Sequence, residues 1–379
     1  MSKKILFFFP ENPFSNRAGN VTRAKTTLTI LKKLGHRIDL VGVKHIYRDM
    51  QDANDFDENI VDNLFFITTK PPKKKVTIEY WKYKILKAYK KSSPSNPSLT
   101  DFAKKEFRDI FNKGTYDAVI INYEFWADLL NPESMKSCLK IVDTHDWITL
   151  NEFYKNRSLD IGQRFSEEIK NLSKFDKIVT ISNEEYFVFG SFLGDRVINI
   201  PPSFPENLSD KNKEKQYDLI FTGSDNPFNI EGIQWFLKNV LPLLPETLKI
   251  CIVGRICKHI PDNKNITKIA FAEELSSYYT QSRIAICPML KGTGIKIKVV
   301  EALSYGLPVV GTERAVDGFL SKSDNGCLVN DDPEIFKDYI MALLQDRTYY
   351  ETLRNWAEDY FKNNFSEEKA IQKWKKLLM

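Results

Sequence analysis

The chain has 379 residues, 42% of them hydrophobic and 28% charged, which is enough apolar mass for two ordinary domains and excludes a disordered or fibrous chain. Its 55 Lys+Arg against 50 Asp+Glu leave a net charge of only +5, which argues against nucleic acid as the partner. The five cysteines are odd in number, form no Cys-x-x-Cys pair and sit mostly within apolar runs, which argues against a disulfide framework or zinc motif and for a reducing compartment.

The first apolar run, Ile5–Phe9, ends at Pro10 and reads as a buried strand rather than a leader. Val21, Ala24, Leu28, Leu31 and Leu34 then recur at helical spacing, with Gly35 as the expected C-cap. Strand candidates follow at Ile38–Val43, Leu64–Thr68, Ala118–Asn122, Lys140–Asp143, Lys177–Ile181 and Val197–Ile200, with helical patterns between most of them. This alternation predicts a parallel sheet covered on both faces. It stops at the Pro-rich stretch Pro201–Pro205 and the polar run after Ser209, the best linker in the chain. A second α/β series runs through Asp218–Thr222, Leu248–Val253, Ile284–Cys287 and Leu307–Gly311, with helices at Ile230–Leu241 and Lys296–Tyr305 and three more from Pro333 to the end. No apolar stretch approaches the roughly 20 residues of a membrane span. Two doubly wound halves predict ligand binding in a central cleft facing the carboxyl ends of the strands.

The most informative segment is Lys291-Gly292-Thr293-Gly294-Ile295-Lys296, continuing through Lys298 and Glu301 to Thr312. It reads as a glycine-containing turn opening a helix, with Lys296 and Lys298 in the first turn and Glu301 one turn on. Free N–H groups at a helix start bind anions, and two lysines there suit a diphosphate, although a solvated lysine pair on a capped helix is the plain alternative. No Gly-x-Gly-x-x-Gly follows the first strand, which disfavours a Rossmann dehydrogenase.

In these residues the segment resembles the C-terminal signature of retaining glycosyltransferase family 4, in its Gly-Thr-Gly-Ile-Lys form. Asp218–Ser224 with Asn226–Phe236 resembles the family's opening strand, glycine loop and Asn-led helix, and Val329–Glu334 through Ala342–Asp346 resembles its closing region. Asp143–Asp146 and Ile178–Glu185 resemble motifs of its acceptor domain. The resemblance implies a GT-B fold, α/β with two Rossmann-like doubly wound domains facing a central cleft. An acceptor-binding domain at 1–200, a linker at 201–216, a nucleotide-sugar domain at 217–363 and a helix at 364–379 returning to the first domain are then expected.

Carried over by position, Glu301 matches the glutamate that holds the donor ribose. Its family partner falls on Thr293, so recognition of the sugar must differ or pass to Lys296 and backbone amides. Gly223, Ser224, Asn229, Gly292, Gly294, Ile295 and Lys298 complete the implied donor site, with Arg255 as a weaker phosphate candidate. His145 is implied to meet the donor sugar, with a satisfied structural histidine as the other reading. Asp143 and Asp146 flank it and either orient the ring or cap the next segment, Asp143 reading as the more structural. Gly19 and Asn20, in the loop after the first strand, serve either a close approach to acceptor or phosphate or the turn itself.

The expected reaction is transfer of a sugar from a UDP- or GDP-sugar to a glycan or lipid-linked hydroxyl, with no cofactor and no metal. A catalytically silent nucleotide-sugar-binding protein and a GT-B-fold epimerase are the alternatives. Residues 70–91 interleave lysines with Tyr80, Trp81, Tyr83 and Tyr89, which suits either peripheral contact with an anionic membrane or a helix packed on the domain. The expected location is cytoplasmic, at or near the inner membrane face.

Overall fold

The structure is a computed structural model that describes residues 2–15, 19–48, 56–70, 81, 99–208 and 214–379. Of the basic aromatic segment 70–91, only Lys70 and Trp81 fall within these. The chain divides into two compact units, one formed by Met1–Ile181, Glu185–Asn199 and Leu377–Met379, the other by Ser182–Glu184 and Ile200–Lys376.

The first unit is built on β1 (Lys4–Phe8), β2 (Arg37–Val43), β3 (Asn63–Ile67), β4 (Ala118–Asn122), β5 (Leu139–Asp143), β6 (Lys177–Thr180) and β7 (Val197–Asn199). They form a seven-stranded parallel sheet in the order β3-β2-β1-β4-β5-β6-β7. Every residue of β4 is buried and only the first of β1 is partly exposed, as a parallel strand covered on both faces requires. Helix α1 (Gly19–Lys33) covers one face with Val21, Ala24, Leu28 and Leu31. It ends where Gly35 adopts a φ of 82°, its amide and that of His36 returning to the carbonyls of Lys32 and Leu31. The winding reverses between β1 and β4, because β2 and β3 extend the sheet to one side and β4 onward to the other.

The second unit repeats the plan with β8 (Tyr217–Thr222), β9 (Ile250–Val253), β10 (Ile266–Ile269), β11 (Ser282–Cys287), β12 (Val309–Gly311) and β13 (Cys327–Val329) in the order β10-β9-β8-β11-β12-β13, again parallel. Here the reversal lies between β8 and β11. β10 and β13 are not among the strands expected from the sequence, because they are short edge strands with polar or half-buried positions and lack the continuous apolar run of their neighbours. The helix expected over Ile230–Leu241 is three pieces: an α-helix at Pro227–Trp235, a π-turn at Phe236–Val240 and a 3₁₀ turn at Leu241–Leu243. The three expected terminal helices lie at Pro333–Gln345, Arg347–Asn364 and Glu367–Leu378. Among the described residues no helix is long and apolar enough to cross a membrane.

All five cysteines are free and buried, and burial pushes the Cys138 thiol up to about 11 and the Cys251 thiol up to about 12. They pack as small core residues.

One buried charge pair ties α1 to the centre of the first sheet. Arg23 grips the Asp143 carboxylate with its Nε at 2.9 Å and Nη2 at 2.7 Å, and both side chains are almost wholly out of solvent. Asp143 is therefore structural. Asp143→Ala should cost the first unit about 3–5 kcal/mol in urea denaturation, since it strands a buried guanidinium. Lys105→Ala, which breaks the exposed pair with Asp109, should cost under about 1 kcal/mol in the same assay.

Candidate functional site

Doubly wound sheets bind ligands beyond the carboxyl ends of the strands at the point where the winding reverses. Each unit has such a point, and most candidate residues fall at one or the other.

In the second unit, β8 runs out at Thr222 into Gly223 and Ser224, and the helix Pro227–Trp235 starts from the cap Asn226. The loop is tight: a side-chain carbon at Gly254, where φ is 109°, would lie 2.4 Å from the Gly223 carbonyl oxygen. Gly254 follows β9 and carries Arg255 beside this loop. Arg255 is well exposed there and pairs with Asp225 at 3.2 Å, so its nearest partner is an acid of the same loop.

Asn229 is the junction of the site. Its Nδ2 donates to the Ser224 carbonyl at 2.9 Å, which fixes the carboxamide, and its Oδ1 accepts from Lys298 Nζ at 2.7 Å. The Lys298 ammonium also lies 4.2 Å from the centre of the Phe221 ring. Among the described residues it has no carboxylate partner, and burial pulls its pKa down to about 8. A cation held this way gains most from an arriving anion.

Lys298 stands in helix α2 (Ile297–Ser304). Lys296 was expected in its first turn but is the cap residue before it, with extended backbone. Its Nζ turns back to the Gly294 carbonyl at 2.8 Å and to Asp317 at 3.4 Å, closing the Gly292–Lys296 turn. Gly292 and Gly294 take φ values of 110° and 65°, conformations that suit glycine at both positions. Ile295 is buried and packs on Gly318. Thr293 stands in the turn between the two glycines.

Glu301 follows Lys298 by one turn and accepts from the Tyr279 hydroxyl at 3.1 Å. That hydroxyl also meets Thr222 Oγ1 at 3.0 Å, and its ring stacks on Tyr305 at 4.9 Å. Burial raises the Glu301 pKa to about 7, and the Tyr279 hydrogen bond opposes the rise. A small cavity lined by Thr222, Tyr279, Cys287 and Lys298 lies between these strands and α2. Tyr279 and Phe221 were missed in the sequence; an aromatic in an apolar run carries no mark of its partner.

In the first unit, β1, β4 and β5 end at Phe8, Asn122 and Asp143, and each next residue adds a ring: Phe9, Tyr123 and, one further on, His145. Tyr123 and His145 both have left-handed backbone, with φ of 69° and 61°. The His145 ring stacks against Tyr123 at 4.6 Å and Phe9 at 5.7 Å, and its Nε2 lies 2.6 Å from Asn122 Oδ1. Burial lowers its pKa to about 4, so the ring is neutral at physiological pH. Neither flanking acid orients it. Asp143 is taken by Arg23, and Asp146 accepts from the Trp147 amide and Asn151. The next turn is held by Glu168, which accepts from the amides of Ile148 and Thr149. Gly19 and Asn20 belong to the first turn of α1 rather than to the loop, and Asn20 donates to Glu11 at 2.9 Å. A polar residue closing an apolar strand is the signal that would have found Asn122.

No group of three or more His, Cys, Asp or Glu gathers into metal-holding geometry among the described residues. If the Tyr279 hydroxyl holds Glu301 as described, Tyr279→Phe should raise the Glu301 carboxyl titration midpoint further above 7, followed by carbon-13 NMR of labelled glutamate. An unchanged midpoint would show that the hydroxyl does not govern the carboxylate.

Comparison with known proteins bears on both units. Residues 216–346 match the family model described as Glycosyl transferases group 1. An uncharacterized 44.6 kDa protein in the cps region of Klebsiella pneumoniae is 21% identical over 97% of this chain and 98% of its own length. Among solved structures, the sucrose-phosphate synthase of Thermosynechococcus elongatus superposes with a TM-score of 0.70 at 14% identity, covering 99% of this chain and 98% of that one. HepE of Anabaena, solved in complex with UDP and glucose, gives 0.68 at 12% identity, covering 99% of each chain. Residues 216–346 thus match the Glycosyl transferases group 1 model, within a chain whose two parallel-sheet Rossmann-like domains have the GT-B fold.

Proposed function

We propose that the protein transfers a sugar from a nucleoside diphosphate sugar to a hydroxyl acceptor, with retention of configuration and without a metal. The observation that carries this reading is the placement of Lys298, a half-buried cation with no acidic partner among the described residues, beside Asn229 and the Gly223–Ser224 loop and one helical turn before Glu301, where the second sheet reverses.

A ligand with two charges and a diol matches that arrangement. The diphosphate would lie against the loop amides and Lys298, and Glu301 would accept from the ribose hydroxyls. As the sugar bond breaks, charge grows on the departing diphosphate, and an ammonium already fixed and desolvated stabilises it without reorganising. Lys296 holds the Gly292–Lys296 turn and adds its charge from there. With Thr293 in place of a second glutamate, sugar contacts within the second unit pass to the turn's amides.

The acceptor we propose is a surface glycan or its lipid-linked precursor on the cytoplasmic side of the membrane. The relative from a cps region and the complex of HepE with UDP and glucose support this choice of pathway and donor. Residues 70–91 are the proposed membrane contact. The Thr293 substitution also favours a second reading, a protein that binds nucleotide sugar without turnover.

Calorimetric titration with UDP, GDP, CMP and NAD, each with and without Mg²⁺, tests the donor site. UDP or GDP should bind without metal, and Glu301→Ala should weaken that binding roughly tenfold to a hundredfold. Binding of none of the four would sink the donor reading, while binding without sugar transfer to any acceptor would favour the second. Affinity should also fall as pH rises through about 8, where Lys298 loses its proton, and Lys298→Met should abolish that slope.

A further inference from the structure

The contacts of Asn122 decide what His145 can offer a ligand. Asn122 is fully buried at the end of β4, and one atom of its carboxamide lies 2.6 Å from the Phe8 carbonyl oxygen. A carbonyl oxygen can only accept, so the atom facing it is Nδ2. Its Oδ1 is then the atom 2.6 Å from His145 Nε2. Because Oδ1 can only accept in turn, Nε2 must carry a proton.

The other ring nitrogen has the opposite state. Nδ1 is buried and has no hydrogen-bond partner among the described residues. A proton there would be a buried donor without an acceptor and would make the ring a buried cation. The charges that act on the ring are Asp143 on β5 and Arg23 on α1, and these are bound to each other. Phe9 and Tyr123 cover the ring faces, leaving no counter-charge there.

We infer that Asn122 is a positioning residue that locks His145 as the neutral Nε2–H tautomer, so that a bare Nδ1 lone pair is what the imidazole presents. His145 is therefore a hydrogen-bond acceptor for a hydroxyl and neither a general acid nor an electrostatic cation. The identity of that hydroxyl, on the transferred sugar, rests on the function proposed above; the tautomer does not. A buried acceptor left without a donor costs about 1–3 kcal/mol, which a ligand hydroxyl reaching it would recover. The left-handed backbone at His145 and Tyr123 is the local strain that accompanies this placement.

The test needs no substrate. In protein labelled with nitrogen-15 at histidine, the His145 ring, assigned by its disappearance in His145→Gln, should show protonated Nε2 and unprotonated Nδ1 at pH 7. It should hold that state to below about pH 5. Asn122→Asp, which keeps an acceptor and adds a charge, should raise the His145 midpoint by about one pH unit or more. Asn122→Leu should allow a mixture of tautomers. A wild-type ring protonated at Nδ1, or an imidazolium at pH 7, would overturn the assignment whether or not either variant folds. An unchanged tautomer in folded Asn122→Leu would show that Asn122 does not set it. Absence of sugar transfer would bear on the proposed function and not on these signals.

Discussion

A parallel strand covered on both faces by helices carries its polar side chains chiefly toward its ends, and that constraint puts Asn122, Asp143 and Thr222 where their strands stop. The strand interiors are mostly aliphatic or aromatic, and where a buried charge does lie inside one, as Asp39 does in β2, it is paired, here with Lys4 and the Tyr116 hydroxyl. At the carboxyl ends the residues change character: Asn122 and Asp143 close β4 and β5, and Thr222 closes β8. The reversal of winding spreads neighbouring strand ends apart and leaves room for a ligand between them.

The charges at these ends are handled in two ways. Asp143 is satisfied completely by Arg23, and this pair holds the sheet and reaches no ligand. Lys298 and Glu301 meet only neutral groups among the described residues, Lys298 the Asn229 carboxamide, the Met289 sulfur and the Phe221 ring and Glu301 the Tyr279 hydroxyl, and burial shifts both pKa values toward neutrality from opposite sides, to about 8 and about 7. A site that keeps a half-satisfied cation and a half-satisfied acid one helical turn apart stores electrostatic cost that a ligand carrying phosphate and hydroxyl groups relieves. His145 belongs to the same scheme with its charge removed altogether.

The fold was legible because its signal is additive over many residues. Strands such as Ala118–Asn122 announce themselves as apolar runs, and the glycine turn at Gly292–Gly294 announces itself by residues that tolerate its backbone. The edge strands Ile266–Ile269 and Cys327–Val329 were missed because half-covered strands mix polar and apolar positions. Site residues were legible as types but not as pairs. Nothing local in the sequence says that Arg23 spends itself on Asp143 across 120 positions, or that Lys296 folds back on Gly294 while Lys298 reaches Asn229. Such pairings are set by the winding of the sheet, and only a partner's position decides whether a lysine is free to meet a phosphate.

The burial of the cysteines gives each unit its own clock. Cys138 lies in the first unit, and Cys251, Cys257, Cys287 and Cys327 lie in the second. Their raised pKa values keep them as thiols, which react slowly, and their enclosure keeps reagents out until the surrounding sheet opens. The order in which an added alkylating reagent modifies them therefore records which half of the chain opens first and how often. Loss of protection at Cys287, which closes β11 and lines the cavity with Lys298, would register loosening around the proposed donor site before either unit came apart.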